Sequence, residues 1–346
     1  MESTGSIRFV HGYPAALEEL RNFPAGVEPD YILGLYGLLL SAGMHISYCE
    51  ADVLSGHATQ FLYAREHPEC AWLAFVPPTD TLFRALDVTW KEVIPSGPSI
   101  AYSVLRDWIH EGRLALARFR EPLLVFGFKQ PNTEPQILTA RLQARLAEQT
   151  ISLADCERTY WRYPLDDGNV LVVMENAPRT MEKLTELVRT AARRAIRNWH
   201  TPDLAGCASG DEAYRRFAGD LADLDVDFCH QGFAPWTGRA LWTQWTSRIS
   251  LQQFFERNAP RFGGAERAAL TKAAFHYGQC VDAWRHWSRF LGPTWNLDHH
   301  GFISSVPDDF LALWRNRECR SHAARCVDEA RAWEEKAIQE LTKIIR

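Results

Sequence analysis

The 346-residue chain reads as an α+β protein, with a sheet-bearing α/β domain over 1–177 followed by an all-helical domain over 178–346. Three observations predict this. Two strand-like apolar runs, 114–118 and 123–128, are joined by Arg120-Glu121-Pro122. That link is too short for a crossover helix, so the runs form an antiparallel hairpin. After Asn176-Ala177-Pro178 the apolar spacing changes to a period near 3.6, and no comparable strand-like run follows. A hydrophobic share of 46% with 23% charge is ordinary for a packed globular chain, so disorder is expected only over 1–6.

Taken in order, 8–11 suggests a short strand and 13–23 a helix with Leu17 and Leu20 inward. Glu28-Pro29-Asp30 starts a buried helix over 31–40, and Gly43 stops it. An extended piece at 45–48 leads to a helical turn at 50–54, broken by Ser55-Gly56, and 58–64 alternates like a strand. A further apolar run, 72–76, closes at Pro77-Pro78, and Thr79-Asp80 caps a helix over 81–86. A strand at 89–94 precedes a helix over 100–110, capped by Ser99 and ended by Gly112. Beyond the hairpin, 138–149 reads as a helix or an irregular insertion, and 169–174 as a last strand. Helices are expected over 181–199, 211–224, 238–257, 265–291 and 308–345.

Bulk properties narrow the function. A net charge of −5 offers no global attraction for nucleic acid. The longest apolar run, 31–40, is too short to span a bilayer, and no basic segment leads into an apolar one as in a secretory signal. Eight cysteines without any C-x-x-C point to reduced thiols in a cytosol, with no zinc knuckle. The nucleotide-binding glycine motifs, G-x-S-x-G and H-E-x-x-H are all absent, which disfavours nucleotide-dependent and common hydrolase chemistry. No cofactor is expected. Thirteen tryptophans, most of them after Thr159, supply core area and a few pocket or partner contacts.

The segment 44–65 concentrates the polar chemistry. His57 follows Ser55-Gly56 at a turn and is either a general base or a structural histidine at a strand start. Asp52 orients it, binds a substrate amine, or faces solvent from a helix. Ser55 donates to a substrate or caps the turn. Cys49 at a helix start is an activated nucleophile or a small buried hydrophobe. On the hairpin, Leu114, Leu116 and Arg118 share one face. A guanidinium on an apolar face needs a carboxylate, phosphate or sulfate. Glu121 supplies it, or an anionic substrate does, with Arg120 beside it. Asp298, His299 and His300 are metal-ligand types, but adjacent histidines on a loop fix no coordination geometry, so no metal is expected.

The run Leu54-Ser55-Gly56-His57-Ala58-Thr59-Gln60-Phe61, the apolar pair within 114–128 and Ser209-Gly210-Asp211-Glu212-Ala213-Tyr214-Arg215-Arg216-Phe217 carry a resemblance. The chain resembles the butirosin biosynthesis protein H-like proteins, which sit on a C39-peptidase-like papain scaffold. The resemblance covers most of the chain. It implies a papain-like α/β domain and an enzyme of antibiotic-type metabolism, one that moves an aminoacyl group from a carrier protein to an amine. Two departures matter. The family's cysteine after an early histidine is missing, since Gly12 and Tyr13 follow His11 and no cysteine precedes Cys49. The strand at 123–128 also lacks the histidine base of papain-like enzymes.

The expectation is therefore amine substitution or ring closure without a covalent intermediate, on an amino-acid-derived substrate that is free or carrier-bound. Asp52 or His57 takes the proton, with Ser55, Arg118, Arg120 and Glu121 on the substrate. A Cys49–His57 aminoacyl transferase or amide hydrolase is the alternative, and a non-catalytic subunit of a hetero- or homo-oligomer is a third.

Overall fold

The computed structural model describes residues 7–9, 30–65, 77–118, 122–129, 136–141, 147–161, 169–176, 183–204, 206–228, 233–290 and 308–345. The expected helix at 13–23, the run at 72–76, and Arg120, Glu121, Asp298, His299 and His300 lie outside these residues. The chain is a mixed helix and sheet protein. It divides into two compact units, Met1–Ala51 with Phe83–Met181, and Asp52–Leu82 with Glu182–Arg346. The segment 52–82, grouped above with the first half, thus belongs to the second unit, and the later division falls at 181/182 rather than 177/178.

In chain order the elements are β1 (Ile7–Phe9), α1 (Asp30–Ser41), α2 (Tyr48–Ser55), a 3₁₀ turn (His57–Thr59), β2 (Leu62–Tyr63), α3 (Pro78–Ala85), β3 (Thr89–Val93) and α4 (Pro98–His110). Then come β4 (Ala115–Arg118), β5 (Pro122–Lys129), β6 (Gln136–Arg141), β7 (Ala147–Ser152), α5 (Leu153–Cys156) and β8 (Val170–Asn176). The remainder is α6 (Leu184–His200), β9 (Asp203–Leu204), β10 (Cys207–Ser209), α7 (Gly210–Ala222), α8 (Phe233–Asn258), α9 (Gly264–Phe290), α10 (Asp308–Arg315) and α11 (Arg317–Thr342).

In the first unit seven strands form one antiparallel sheet, ordered β3-β8-β4-β5-β6-β7, with β1 on β5. The expected hairpin is present, pairing Ala115 with Val125 and Arg118 with Pro122. Consecutive residues of β4, β5 and β8 are buried, so both faces of the central sheet are covered. Helices α1 and α4 pack against it. Pro98 opens α4 and Ala101, Tyr102, Leu105, Trp108 and Ile109 form its buried stripe. Gly112, at φ +79°, lets Arg113 N donate to Trp108 O at 2.9 Å and closes the helix. Within 138–149 the described residues 138–141 and 147–149 are strand rather than helix: β6 pairs with both β5 and β7.

The second unit is mainly helical but not all-helical. Strands β2, β10 and β9 form a small antiparallel sheet. The stretch 58–64 reaches strand geometry only at Leu62–Tyr63. Alanines at 269, 273 and 274 on α9 and at 323, 330 and 337 on α11 are buried where these two long helices pack together. The helix expected over 308–345 breaks at Asn316, whose side chain accepts from Glu318 N and Cys319 N and starts α11. Arg320 on α11 is 4% exposed and donates to the carbonyls of Asp220, Leu221, Val226 and Asp223. A cation thus closes the carbonyl end of α7.

Candidate functional site

Helix α2 starts with a capping box. Ser47 N and Oγ donate to Glu50 Oε2 at 2.7 and 2.8 Å, and Glu50 N donates to Ser47 Oγ at 3.3 Å. The S-x-x-E signal at 47–50 is legible in the sequence, and it moves the helix start into the piece expected to be extended over 45–48. At the other end of the helix, Ser55 Oγ donates to Asp52 O at 2.7 Å and accepts from His57 N at 3.2 Å. Ser55 is fully buried and its hydroxyl proton is committed to the backbone. It shapes the turn rather than presenting a donor to a ligand. Gly56 takes φ +87° to reverse the chain, and the 3₁₀ turn follows.

This geometry folds His57 back onto the helix that precedes it. His57 Nδ1 lies 2.8 Å from Asp52 Oδ1, with the carboxylate side chain 1% exposed and the imidazole 15%. A buried carboxylate accepts hydrogen bonds and donates none, so it selects the ring form with a proton on Nδ1. The neutral ring then offers a lone pair at Nε2, which makes no hydrogen bond to any described residue. Buried Asp and part-exposed His in this relation form an oriented proton acceptor.

Helix α6 clamps the turn from a distant part of the sequence. Arg194 Nη1 donates to Leu54 O at 3.0 Å, while Asn198 Nδ2 donates to Thr59 O at 3.2 Å and Thr59 Oγ1 at 3.0 Å. Beyond the turn, Gln60 O accepts from Arg248 Nη1 at 3.1 Å. Arg248 is 1% exposed and meets Glu334 through two parallel bonds, Nε to Oε2 and Nη2 to Oε1, both 3.0 Å. Burial opposes the Arg248 charge and Glu334 overrides it, so the guanidinium stays protonated. Burial pushes the hydroxyls of Tyr214 and Tyr277 beside this pair well up. Phe61 packs edge-on to Tyr214, centroids 4.4 Å apart. The buried pair was missed above, although Glu334 interrupts the stripe Val327, Ala330, Ala337, Ile338 and Leu341, a signal of a paired interior charge.

The other expected residues are placed differently. Cys49, a partly exposed cysteine outside any disulfide, and Arg118 belong to the first unit, whereas Asp52, Ser55 and His57 belong to the second. Arg118 Cζ lies 5.9 Å from the Tyr31 ring centroid. Burial pushes the thiols of Cys156 and Cys326 up to about 12 and about 11, which suits packing better than nucleophilic work. Among the described residues no three His, Cys, Asp or Glu side chains are grouped to hold a metal ion, and no helix is long and apolar enough to cross a membrane. A groove of about 480 Å³ between α8 and α9, lined by Glu256, Arg267, Phe275, Asp282 and Arg285 among others, includes no residue of the dyad turn.

No protein-family model matches the chain, and no curated protein matches it.

Proposed function

We propose that the chain is an enzyme of specialised metabolism on a papain-like scaffold that carries out amine substitution or ring closure, with His57 as general base and Asp52 as its orienting partner. The substrate is amino-acid-derived, free or carrier-bound, and bears an anionic group. The observation that carries this reading is the 2.8 Å contact between a buried Asp52 oxygen and His57 Nδ1, which leaves Nε2 as the proton acceptor. The antiparallel sheet with α1 and α4 against it supports the scaffold.

The amine nitrogen of the substrate forms a bond to an electrophilic carbon with its lone pair. The bond from that carbon to the leaving group breaks, and the leaving group departs with the electron pair. The proton on nitrogen passes to His57 Nε2, and Asp52 stabilises the imidazolium until the proton passes to the leaving group or to water. Holding amine and electrophile together supplies about 7–11 kcal/mol of the barrier reduction. No thiolate is needed.

A panel of amino-acid-derived amines, free and loaded on carrier protein, is incubated with the enzyme and followed by mass spectrometry. His57→Ala should lower turnover of the converted substrate by about 10²–10⁴-fold. Asp52→Asn should lower it with little change in KM, and Cys49→Ala should leave it intact. Full activity in both His57→Ala and Asp52→Ala sinks the reading. Loss in Cys49→Ala alone points to acyl transfer through that thiol.

A further inference from the structure

Helix α6 carries four arginines, and they divide into two kinds. Arg189 pairs with Glu266 at 2.9 Å and Arg193 with Glu186 at 2.8 Å. Arg194 and Arg197 meet no carboxylate among the described residues. Arg194 is half-buried and its only hydrogen bond to described residues is the one from Nη1 to Leu54 O. The more deeply buried arginines are fully answered, Arg248 by Glu334 and Arg320 by four carbonyls. Burial, with the like charge of Arg197 one turn on, pulls Arg194 down to about 10. A half-buried guanidinium with a like charge nearby and no carboxylate beside it responds in this way.

The orientation of Arg194 is also defined. A Cβ at Gly56 would meet Nη1 at 3.0 Å, Cδ at 3.2 Å and Cζ at 3.4 Å. The Cδ–Cζ–Nη1 edge therefore lies against the residue preceding His57. The opposite edge, Nε–H with Nη2–H, is the fork that grips an oxyanion through two parallel bonds. Neither of its nitrogens bonds a described residue.

We infer that Arg194 is the subsite for the oxyanion of the substrate, a carboxylate or a phosphate, beside the proton acceptor His57. The inference deepens the reading of His57 as a base and rests on it for what the anion is attached to. Anion binding itself is measured without turnover. All of its residues lie in the second unit, unlike Arg118.

The test follows the Gly56 backbone amide of the isotopically labelled full chain by NMR during titration with inorganic phosphate and, separately, with acetate. Saturable displacement by either anion is expected, the tighter one naming the group. Arg194→Gln should raise the dissociation constant at least tenfold. Arg193→Gln, on the same helix but already paired, should change it less than twofold. Arg194→Lys keeps the charge and loses the fork, and should weaken binding at least threefold. It decides the matter should the glutamine variant fail to fold. His57→Gln should bind within threefold of the native chain, so the subsite stands even where the proton-transfer reading fails. No saturable response to either anion, or equal affinities in the native chain, Arg194→Gln and Arg194→Lys, overturns the inference.

Discussion

Glu334→Ala should destabilise the protein by about 3–5 kcal/mol, because it leaves the Arg248 guanidinium buried without its counter-charge. Arg248 is 1% exposed, so solvent cannot take over the role of Glu334. Tyr214, whose hydroxyl donates to Glu334 Oε2 at 2.5 Å, also loses its acceptor. The effect should be strongly non-additive. Replacing both partners, Arg248→Met with Glu334→Leu, should recover part of the loss, since an apolar pair of similar volume carries no charge-desolvation cost, while Tyr214, Gln60 and Gln244 still lose their partners in the pair. Urea denaturation of the three variants measures this. A Glu334→Ala loss under 1 kcal/mol would mean that the pair is not the buried, water-free contact described. Arg248 also holds Gln60 O, so the destabilised variant should show a loosened dyad turn before global unfolding.

Gly210→Ala should cost about 2–5 kcal/mol, combining a strained left-handed backbone with an overpacked contact. Gly210 sits at φ +55° where β10 turns into α7. An added Cβ would lie 2.4 Å from the carbonyl oxygens of Asn198 and Trp199 and 2.7 Å from Trp199 Cα. These are backbone atoms at the end of α6, so no rotamer change relieves the clash. The end of α6 would have to shift, and Asn198 would carry the Thr59 contact with it. Thermal denaturation tests the stability change. A native-like melting temperature in Gly210→Ala would contradict the close approach of these two helix ends.

Much of the fold was legible because its signals are local. The apolar pairs of β4 and β5 joined by three residues could only form a hairpin, and the 3.6-residue spacing of Leu184, Val188, Ala191, Ala192, Ala195 and Trp199 marks α6. The errors have equally physical causes. Strands β6 and β7 sit in a stretch rich in Leu, Ala, Arg and Gln, which favour helix in isolation, and pairing of β6 with β5 and of β7 with β6 overrides that preference. Strands β9 and β10 are too short for alternation to show. The membership of 52–82 in the second unit rests on contacts such as Asn198 with Thr59, 139 residues apart, which no periodicity encodes. At the site, Asp52 and His57 were visible as residue types with several open roles. Only the helix end and the Gly56 reversal show that they meet, and the clamping residues Arg194, Asn198 and Arg248 carried no local signal.

The claim on which the chemistry depends is that Asp52 holds the proton of His57 on Nδ1 and leaves Nε2 bare. Nitrogen-15 NMR of the labelled histidine ring reads this directly in the neutral form. The account predicts a protonated Nδ1 bonded to Asp52 and an unprotonated Nε2, with the preference weakened in Asp52→Asn. A neutral ring protonated at Nε2, unchanged by that substitution, would contradict it.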